Sequence, residues 1–251
     1  KGEMPREMVS HLAEMGMMGL AVPEELGGLG LPQSAYARVM QEVAGIDGSL
    51  AVTLGAHQSI GYKALLLFGS DEQKKRFLPR LAAGQLVAAY CLTEPGSGSD
   101  AASIKTKATL SADGKHYIVN GNKLWITNGG IATFVTVFAK TEVDEGGVKK
   151  EKVSCFALEL PAQGVSAGPA EHKLCIRASW TNAVHFDNVK IPIENVIGGI
   201  GQGFKVAMGV LNHGRLGLAA GCIGGAKNCL KASIEHSNER VQFQKKIGEF
   251  G

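Results

Sequence analysis

Two short segments near the middle of the chain carry residue types that suit the binding of a polar, planar ligand. In residues 90–100, YCLTEPGSGSD, an apolar, strand-like run breaks into proline, glycine and serine. Residues 124–130, LWITNGG, follow about two dozen positions later and place a tryptophan beside hydroxyl and amide groups. A strand that ends in this way leaves backbone N–H groups and hydroxyls free to receive an anion or the polar edge of a ring. We therefore predict that the two segments form a binding edge.

Each segment alone also has a simpler interpretation. Gly96–Ser99 has the composition of an ordinary solvent-exposed loop. Trp125, taken by itself, is more often a core residue than the wall of a cofactor site. The occurrence of both segments, with their neighbours and at this short spacing, favours the binding site.

Motifs of several other chemistries are missing from the sequence. It contains no HExxH, GxxxxGK[ST] or CxxC, which argues against a metalloprotease, a P-loop NTPase and a thiol oxidoreductase. The seven histidines include no HxxxH pair, so no metal site is predicted. Residues 198–203, GGIGQG, come close to a dinucleotide fingerprint. They lack its third glycine and follow no βαβ alternation, so a Rossmann site is not expected.

Composition narrows the class of protein further. The 251 residues are 45% apolar and 20% charged, which is enough for one large or two modest hydrophobic cores. A net charge of +3 without a long basic run predicts no nucleic-acid partner. The five cysteines, odd in number and without a CxxC, are predicted to be reduced core residues of an intracellular protein. No apolar run suits a membrane span and no leader is recognised, but Lys1 in place of Met indicates a trimmed chain and leaves the compartment open.

Helical periodicity dominates residues 1–86, which we predict to be an α-helical domain. Met8, Leu12 and Met15 share one helical face. A second helix is predicted to begin at Pro32, and residues 51–68 are apolar nearly all round, as in a helix buried between others. Ser70–Gln73 is a capping box that opens a helix interrupted at Pro79.

A different period follows in residues 87–195, which we predict to be a β domain that carries the two binding segments. Short runs rich in Val, Ile, Thr and aromatic residues are separated by the turn signals Asp113-Gly114 and Asn120-Gly121. These features indicate an antiparallel sheet or barrel. Residues 196–251 return to a helical pattern and are predicted to begin a helical bundle. The fold class is therefore α+β.

Together, the two binding segments resemble the flavin-binding signature of the acyl-CoA dehydrogenase family, and the resemblance covers essentially the whole chain. Residues 22–30, VPEELGGLG, are similar to a turn in the first domain of that family, and residues 203–208, GFKVAM, to the entry of its C-terminal bundle. Residues 54–61, LGAHQSIG, and 100–104, DAASI, look most like the very-long-chain acyl-CoA dehydrogenase branch. The resemblance implies that family's fold, of which this sequence holds the first two domains and the start of the third.

FAD is the cofactor that the resemblance implies, bound between the middle sheet and the C-terminal helices. Thr93 would offer its hydroxyl to the polar edge of the flavin ring, Trp125 would cover one face of the isoalloxazine, and Thr127 would hydrogen-bond near N5. An aromatic plane and hydroxyl groups suit a ring that becomes electron-rich on reduction. The cofactor contacts implied within this part of the chain are Tyr90, Cys91, Leu92, Thr93, Gly98, Ser99, Trp125, Ile126 and Thr127.

The same resemblance implies contacts to an acyl-CoA substrate. Ser99 would reach either the pyrophosphate of FAD or the CoA arm of the substrate. Residues 212–215, NHGR, match the helix segment that meets the CoA substrate, with Asn212 and Arg215 as its contact residues.

A second subunit is implied as well. Arg240, Gln242 and Phe243 match positions that meet the FAD of a neighbouring subunit, so a homo-oligomer, in its simplest form a dimer, is expected. For Arg240 the alternative is an exposed helix charge.

The implied reaction is α,β-dehydrogenation of a long-chain or very-long-chain fatty acyl-CoA to the trans-2-enoyl-CoA in mitochondrial β-oxidation. A carboxylate would remove the α-proton while the β-hydride passes to the flavin, and the electrons would leave to an electron-transfer flavoprotein. Most members carry this glutamate far along the C-terminal bundle, and a few carry it just before the helix arginine, where this chain has Gly214. The base is therefore expected C-terminal to Gly251, with no catalytic residue within the chain. Glu94, beside Pro95, is interpreted as a structural carboxylate.

Two other functions fit the same resemblance. A family member can act mainly as a mitochondrial assembly or interaction factor, and the residue at the position of the base would distinguish the two roles. An acyl-CoA oxidase shares the fold and differs in oxygen access. The expected compartment is the mitochondrial matrix or the matrix face of the inner membrane, and peripheral membrane association through a region outside this sequence is left open.

Overall fold

Residues 4, 5 and 7–251 are described by a computed structural model, which shows a helical part, a β-sheet and a long helix in that order. The predicted α+β class is confirmed. Within these residues five α-helices precede the sheet, and each presents apolar side chains to the interior. They are α1 (Glu7–Glu14), α2 (Gln33–Ile46), α3 (Gly48–Gly55), α4 (Lys63–Phe68) and α5 (Asp71–Ala82).

The helix predicted over residues 51–68 is present as α3 and α4, joined by a wide π-helical turn at Ala56–Gly61. The capping box of α5 is confirmed, because the Gln73 N–H donates to Ser70 Oγ while Gln73 Oε1 accepts from the Ser70 N–H. The predicted interruption at Pro79 is wrong. The helix continues to Ala82, since a proline removes one N–H group while the buried face of α5 still packs against the core.

The sheet has eight strands in the order β6-β7-β3-β2-β4-β5-β8, with β1 paired to β4 off this path. Most neighbours are antiparallel, as predicted, but β1 and β2 both run parallel to β4. The prediction of a purely antiparallel sheet was therefore wrong at two pairings, and the sheet is mixed. The strands are β1 (Ala88–Cys91), β2 (Lys107–Leu110), β3 (His116–Thr127), β4 (Phe134–Glu145), β5 (Val148–Glu159), β6 (Val165–Ala170), β7 (Thr181–Pro192) and β8 (Val196–Ile197).

The two parallel pairings have one consequence for the first binding segment. Cys91, at the end of β1, pairs with Val137, and Lys107, at the start of β2, pairs with Lys140 a little farther along β4. Between them the chain leaves the sheet and returns to the same strand. We call residues 92–106 the excursion loop. Because the strands at both of its ends pair with β4, the two ends of the loop are fixed relative to each other.

A single long helix, α6 (Gly203–Glu239), follows the sheet and packs its first turns on β5 and the π-helical turn. It leads into a small hairpin, β9 (Val241–Gln242) and β10 (Lys245–Lys246). Among the described residues, no helix combines the length and apolar character needed to cross a bilayer.

The prediction that the cysteines are core residues holds for two of five. Cys91 and Cys155 are buried in the sheet, whereas Cys175, Cys222 and Cys229 are exposed. The last two lie on α6, which keeps several large apolar side chains exposed in this chain, so an apolar neighbourhood along the sequence did not produce burial.

Candidate functional site

A cavity of about 360 Å³ opens between the excursion loop, the end of β3 and the first turns of α6. We call it the loop cavity. Its volume is in the range usual for small-molecule sites, about 300–1,000 Å³. Apolar, aromatic and hydroxyl side chains line it together with a guanidinium group. The lining residues are Ile60, Tyr90, Leu92, Thr93, Gly98, Ser99, Ala101, Trp125, Ile126, Thr127, Met208, Leu211 and Arg215.

Strand β1 supplies the first wall of the loop cavity. The ring of Tyr90 packs on Phe138 with 4.9 Å between ring centroids, and its hydroxyl donates to the Ala207 carbonyl of α6 at 3.4 Å. Alternation along the strand turns Cys91 to the opposite face, where its side chain joins a separate core cluster. The predicted cofactor contact at Cys91 is therefore not among the side chains that line the cavity, and burial raises the pKa of its thiol to about 12.

Strand β3 supplies the second wall through a bulge. Its pairing with β7 shifts register twice, and the second shift lies between Lys123 and Ile126, so Leu124 and Trp125 lie outside the regular ladder. Trp125 has a φ of 56°, a conformation rare for a bulky residue. Bulges often redirect a side chain next to a functional site. Here the indole is 62% exposed and forms a flat wall of the cavity.

Asn128 fixes the end of β3 behind this wall. The residue is fully buried with a φ of 66°, which asparagine tolerates better than most residues. Its Nδ2 donates to the carbonyls of Thr53, at 3.0 Å, and Ala88, at 3.2 Å. The side chain therefore ties the second binding segment to both α3 and β1.

A buried ion pair lies between the two walls. Lys123 Nζ is 2.8 Å from Glu94 Oε1, and the two side chains are 0% and 6% exposed. Burial alone would raise the pKa of Glu94, but hydrogen bonds from Lys123, Thr106 and the Lys105 N–H hold it below its usual value. Burial lowers the pKa of Lys123, and its hydrogen bond to Glu94 opposes that effect. This geometry supports the interpretation of Glu94 as a structural carboxylate.

A second cavity, of about 440 Å³ and mostly apolar lining, lies between α2, α3 and α6. We call it the helix cavity. It adjoins the loop cavity, since Ile60, Thr127, Leu211 and Arg215 line both. Along α6 it extends as far as Cys222, about 10 Å beyond Arg215 at 1.5 Å per residue. In the part of the chain that the structure describes, no aspartate or glutamate lines either cavity.

The other predicted contact residues divide into two groups. Arg215 lines both cavities, and its guanidinium donates to the side chain of Asn212 one turn earlier, which itself lines neither. Arg240, Gln242 and Phe243 are exposed at or within the small hairpin after α6. The helix axis separates Arg215 from Arg240 by about 38 Å at 1.5 Å per residue. The structure does not bring the second group to the cavity.

Several lining residues were not predicted. Met208 and Leu211 lie on a helical stripe that the sequence reveals, but the stripe alone does not say which cavity it faces. Ile60 is one residue of a segment apolar on all sides, and Ala101 has no local signal at all. Their places depend on contacts between segments that are distant in sequence.

Models of three consecutive domains of one family match the chain: the N-terminal domain of acyl-CoA dehydrogenase at residues 1–85, its middle domain at residues 89–189 and its C-terminal domain at residues 201–251. The chain belongs to the acyl-CoA dehydrogenase family. The resemblance inferred from the sequence is thereby confirmed.

Individual acyl-CoA dehydrogenases show how much of such a protein the chain represents. It is 52% identical to the very long-chain specific acyl-CoA dehydrogenase, mitochondrial, of Homo sapiens over 96% of its own length and 37% of the human protein. A Bacillus anthracis acyl-CoA dehydrogenase complexed with FAD superposes with a TM-score of 0.91 at 41% identity, over 97% of this chain and 40% of that one. Butyryl-CoA dehydrogenase of Megasphaera elsdenii gives 0.92 at 37% identity, over 99% of this chain and 65% of that one. The chain thus spans less than two thirds of each of these acyl-CoA dehydrogenases.

Proposed function

We propose that the protein to which this chain belongs carries out FAD-dependent α,β-dehydrogenation of long-chain or very-long-chain fatty acyl-CoA thioesters. The observation that carries the proposal is the pair of adjoining cavities. One has an aromatic wall and hydroxyl groups that suit a flavin ring, and the other is apolar and suits an acyl chain. The four residues shared by both cavities would let the chain reach the ring. The FAD complex of the Bacillus anthracis relative and the very-long-chain specificity named for the human relative support this assignment.

The residues of the loop cavity fit the flavin part of FAD. The exposed indole of Trp125 offers a face for a planar ring, and the hydroxyls of Thr93 and Thr127 can hydrogen-bond to its polar atoms. Gly98 also lines the cavity, and a Cβ added there would meet no protein atom within 4 Å, so the loop leaves room for a ligand. FAD, when bound, supplies the acceptor for the β-hydride of the substrate.

The chain's own residues would bind and orient the substrate. The helix cavity would hold the acyl chain away from water, and a dry site strengthens the hydrogen bonds that stabilise enolate charge on the thioester. Arg215, which Asn212 steadies through a hydrogen bond, would meet the CoA portion, and Ser99 would contact either CoA or the pyrophosphate of FAD. The roles of Arg215 and Ser99 are proposals that rest on the family resemblance.

The proton-abstracting carboxylate has no candidate in the lining of either cavity within the described residues. Gly214 stands next to Arg215 and cannot take this role. Glu94 is committed to its pair with Lys123. We therefore propose that a glutamate C-terminal to Gly251 serves as the base.

The exposed hairpin after α6 is assigned to a second subunit. Because Arg240 lies about 38 Å along the helix from Arg215, it would not meet a flavin in its own loop cavity. We propose that Arg240, Gln242 and Phe243 contact the FAD of the neighbouring subunit in a homo-oligomer. On the family resemblance we propose an electron-transfer flavoprotein as the electron acceptor. We also propose a mitochondrial location, which the names of the relatives from Homo sapiens and Dictyostelium discoideum support.

A spectroscopic experiment tests the proposal most directly. We expect palmitoyl-CoA, added to the full-length protein without oxygen, to bleach the flavin absorption band, since the cofactor carries the redox chemistry. A bound flavin that stays oxidised with short, medium and long acyl-CoA would refute the catalytic function and leave the assembly role. Rapid oxygen consumption during turnover, measured with an oxygen electrode, would instead indicate an acyl-CoA oxidase.

The helix cavity leads to a prediction about chain length. Replacing Cys222 with phenylalanine should fill the end of the cavity that lies farthest from Arg215. We expect kcat/KM for palmitoyl-CoA to fall by about tenfold or more. The reason is that the contacts of a single methylene in an apolar pocket change kcat/KM by about 10–200-fold. With butyryl-CoA the change should stay within about twofold on the same reasoning.

The matched control for this prediction is Ile223→Phe. Ile223 is the next residue on α6, is 52% exposed and does not line the cavity, so it receives the same aromatic ring on the outside of the helix. Equal losses with both acyl-CoA substrates, or equal losses in both variants, would contradict the assignment of the helix cavity to the acyl chain.

A further inference from the structure

The Glu94–Lys123 pair has no part in the proposed reaction, yet each partner adjoins one wall of the loop cavity. Glu94 directly follows Thr93, and Lys123 stands two residues before Trp125. Neither charged side chain lines the cavity itself. The pair is therefore placed to act on the cavity only through these two neighbours.

Glu94 closes the excursion loop on itself. Its Oε2 accepts from the Lys105 N–H at 2.5 Å, and its Oε1 accepts from the N–H of Thr106 at 3.0 Å and from the Thr106 hydroxyl at 2.5 Å. The backbone of Glu94 also exchanges two hydrogen bonds with Ser97. One carboxylate thus joins the start of the loop to its end.

Lys123 connects this closed loop to the bulge of β3. Its Nζ donates to Glu94 Oε1 at 2.8 Å and to the Leu92 carbonyl at 3.1 Å. The N–H of Leu124, within the bulge, donates to the Thr93 carbonyl at 2.9 Å. The two walls are therefore joined at three points, and all three lie next to Thr93 and Trp125.

A buried ion pair adds little to stability compared with apolar residues of the same volume, because both charges must leave water. Its hydrogen-bonding geometry, by contrast, is directional and fixes the groups that make it. Two apolar side chains in place of Glu94 and Lys123 could fill the same volume but could not fix the positions of the two cavity walls.

We propose that the buried Glu94–Lys123 pair, with Thr106, sets the separation between Thr93 and Trp125 and so matches the loop cavity to the flavin ring. Glu94, Lys123 and Thr106 are then positioning residues. This inference rests on the proposed function, since FAD is the ligand that the cavity is fitted to. A displacement of about 1 Å in such a site is enough to weaken ligand binding markedly.

Two substitutions of Thr106 in the full-length protein give the sharpest test. Thr106→Val keeps the shape of the side chain and removes the hydroxyl bond to Glu94, whereas Thr106→Ser keeps the hydroxyl. We expect Thr106→Val to raise the Kd of the apoprotein for FAD about tenfold and to blur the fine structure of the bound flavin spectrum. Thr106→Ser should leave the Kd within about twofold. Quenching of flavin fluorescence measures the Kd, and a thermal scan measures Tm in parallel.

A second comparison separates positioning from loss of stability. The double variant Glu94→Gln, Lys123→Met removes both charges, and Val189→Ala weakens the buried centre of β7, which lines neither cavity. At a temperature well below both Tm values, we expect the double variant to bind FAD about tenfold more weakly while Val189→Ala binds normally.

The possible results are distinguishable. A wild-type protein that binds no FAD would overturn the proposed function together with this inference. A wild-type protein that binds FAD, with folded Thr106→Val binding as tightly as Thr106→Ser and giving the same spectrum, would overturn the inference alone. If the double variant does not fold, the Thr106 pair still decides.

Discussion

Replacing Gly224 with alanine is expected to lower the free energy of unfolding by about 1–3 kcal/mol, the usual cost of overpacking. A Cβ at this position would stand 1.9 Å from the carbonyl oxygen of Gln41 and 2.8 Å from its carbonyl carbon. These are backbone atoms of α2 that cannot rotate aside, so α6 would have to move away from α2. Urea unfolding followed by circular dichroism measures the change.

The neighbouring glycine provides the control. A Cβ at Gly225 meets no atom within 4 Å, so Gly225→Ala should stabilise the helix by about 0.5–1 kcal/mol through its greater helix propensity. Both substitutions add one methyl group to the same helix. They differ in that the backbone of α2 contacts α6 at Gly224 and not at Gly225. Shifts of the same sign and size in the two variants would show that α2 and α6 are not in backbone contact at Gly224.

Acidification is expected to destabilise the protein through His57. This side chain is completely buried, with Nδ1 accepting from the Ala88 N–H at 2.9 Å and Nε2 placed 3.1 Å from the Leu81 carbonyl. Burial lowers its pKa to about 4, although the hydrogen bond to the Leu81 carbonyl favours the proton. An unfolded histidine titrates near pH ~6.5, so between that pH and about 4 the unfolded state binds a proton that the folded state does not. This contribution to stability is complete above pH ~6.5 and is lost as the pH falls, at about 1.4 kcal/mol per pH unit.

Comparison of two histidine variants isolates this contribution from that of the carboxylates. His57→Gln removes the titrating ring, so its free energy of unfolding should fall less steeply than that of the wild type between pH ~6.5 and ~4. His185→Gln changes an exposed histidine and should keep the wild-type slope. Parallel pH profiles for the wild type and His57→Gln would contradict the assignment to His57.

Local signals in the sequence were sufficient for several elements of the fold. The capping box at Ser70 and the helical periodicity of the first domain depend on residues three or four positions apart, and both are found in the structure. Residues of both binding segments line the loop cavity, and their assignment to a cofactor stays a prediction.

The contacts that hold the site together could not be predicted in this way. Glu94 and Lys123 are 29 residues apart, and His57 and Ala88 are 31 apart. Neither pair has a characteristic spacing, and a buried lysine looks no different from an exposed one in the sequence. The bulge at Trp125 was missed for a related reason, since it is defined by the register of β3 against β7, which lies more than 50 residues farther along the chain.

The parallel pairing of β1 with β4 also has a consequence for the order in which the protein folds. Strands β4 and β5 meet across the short Gly146-Gly147 turn, so this hairpin can close early, on a timescale of about 1–10 μs. Ala88 and Phe134 can pair only when the long segment between them closes into a loop. Such contacts form slowly, because the conformational entropy of loop closure is lost before the contact stabilises the chain. The excursion loop cannot be anchored until that pairing exists. A ligand of the loop cavity would therefore stabilise the finished fold without helping to nucleate it.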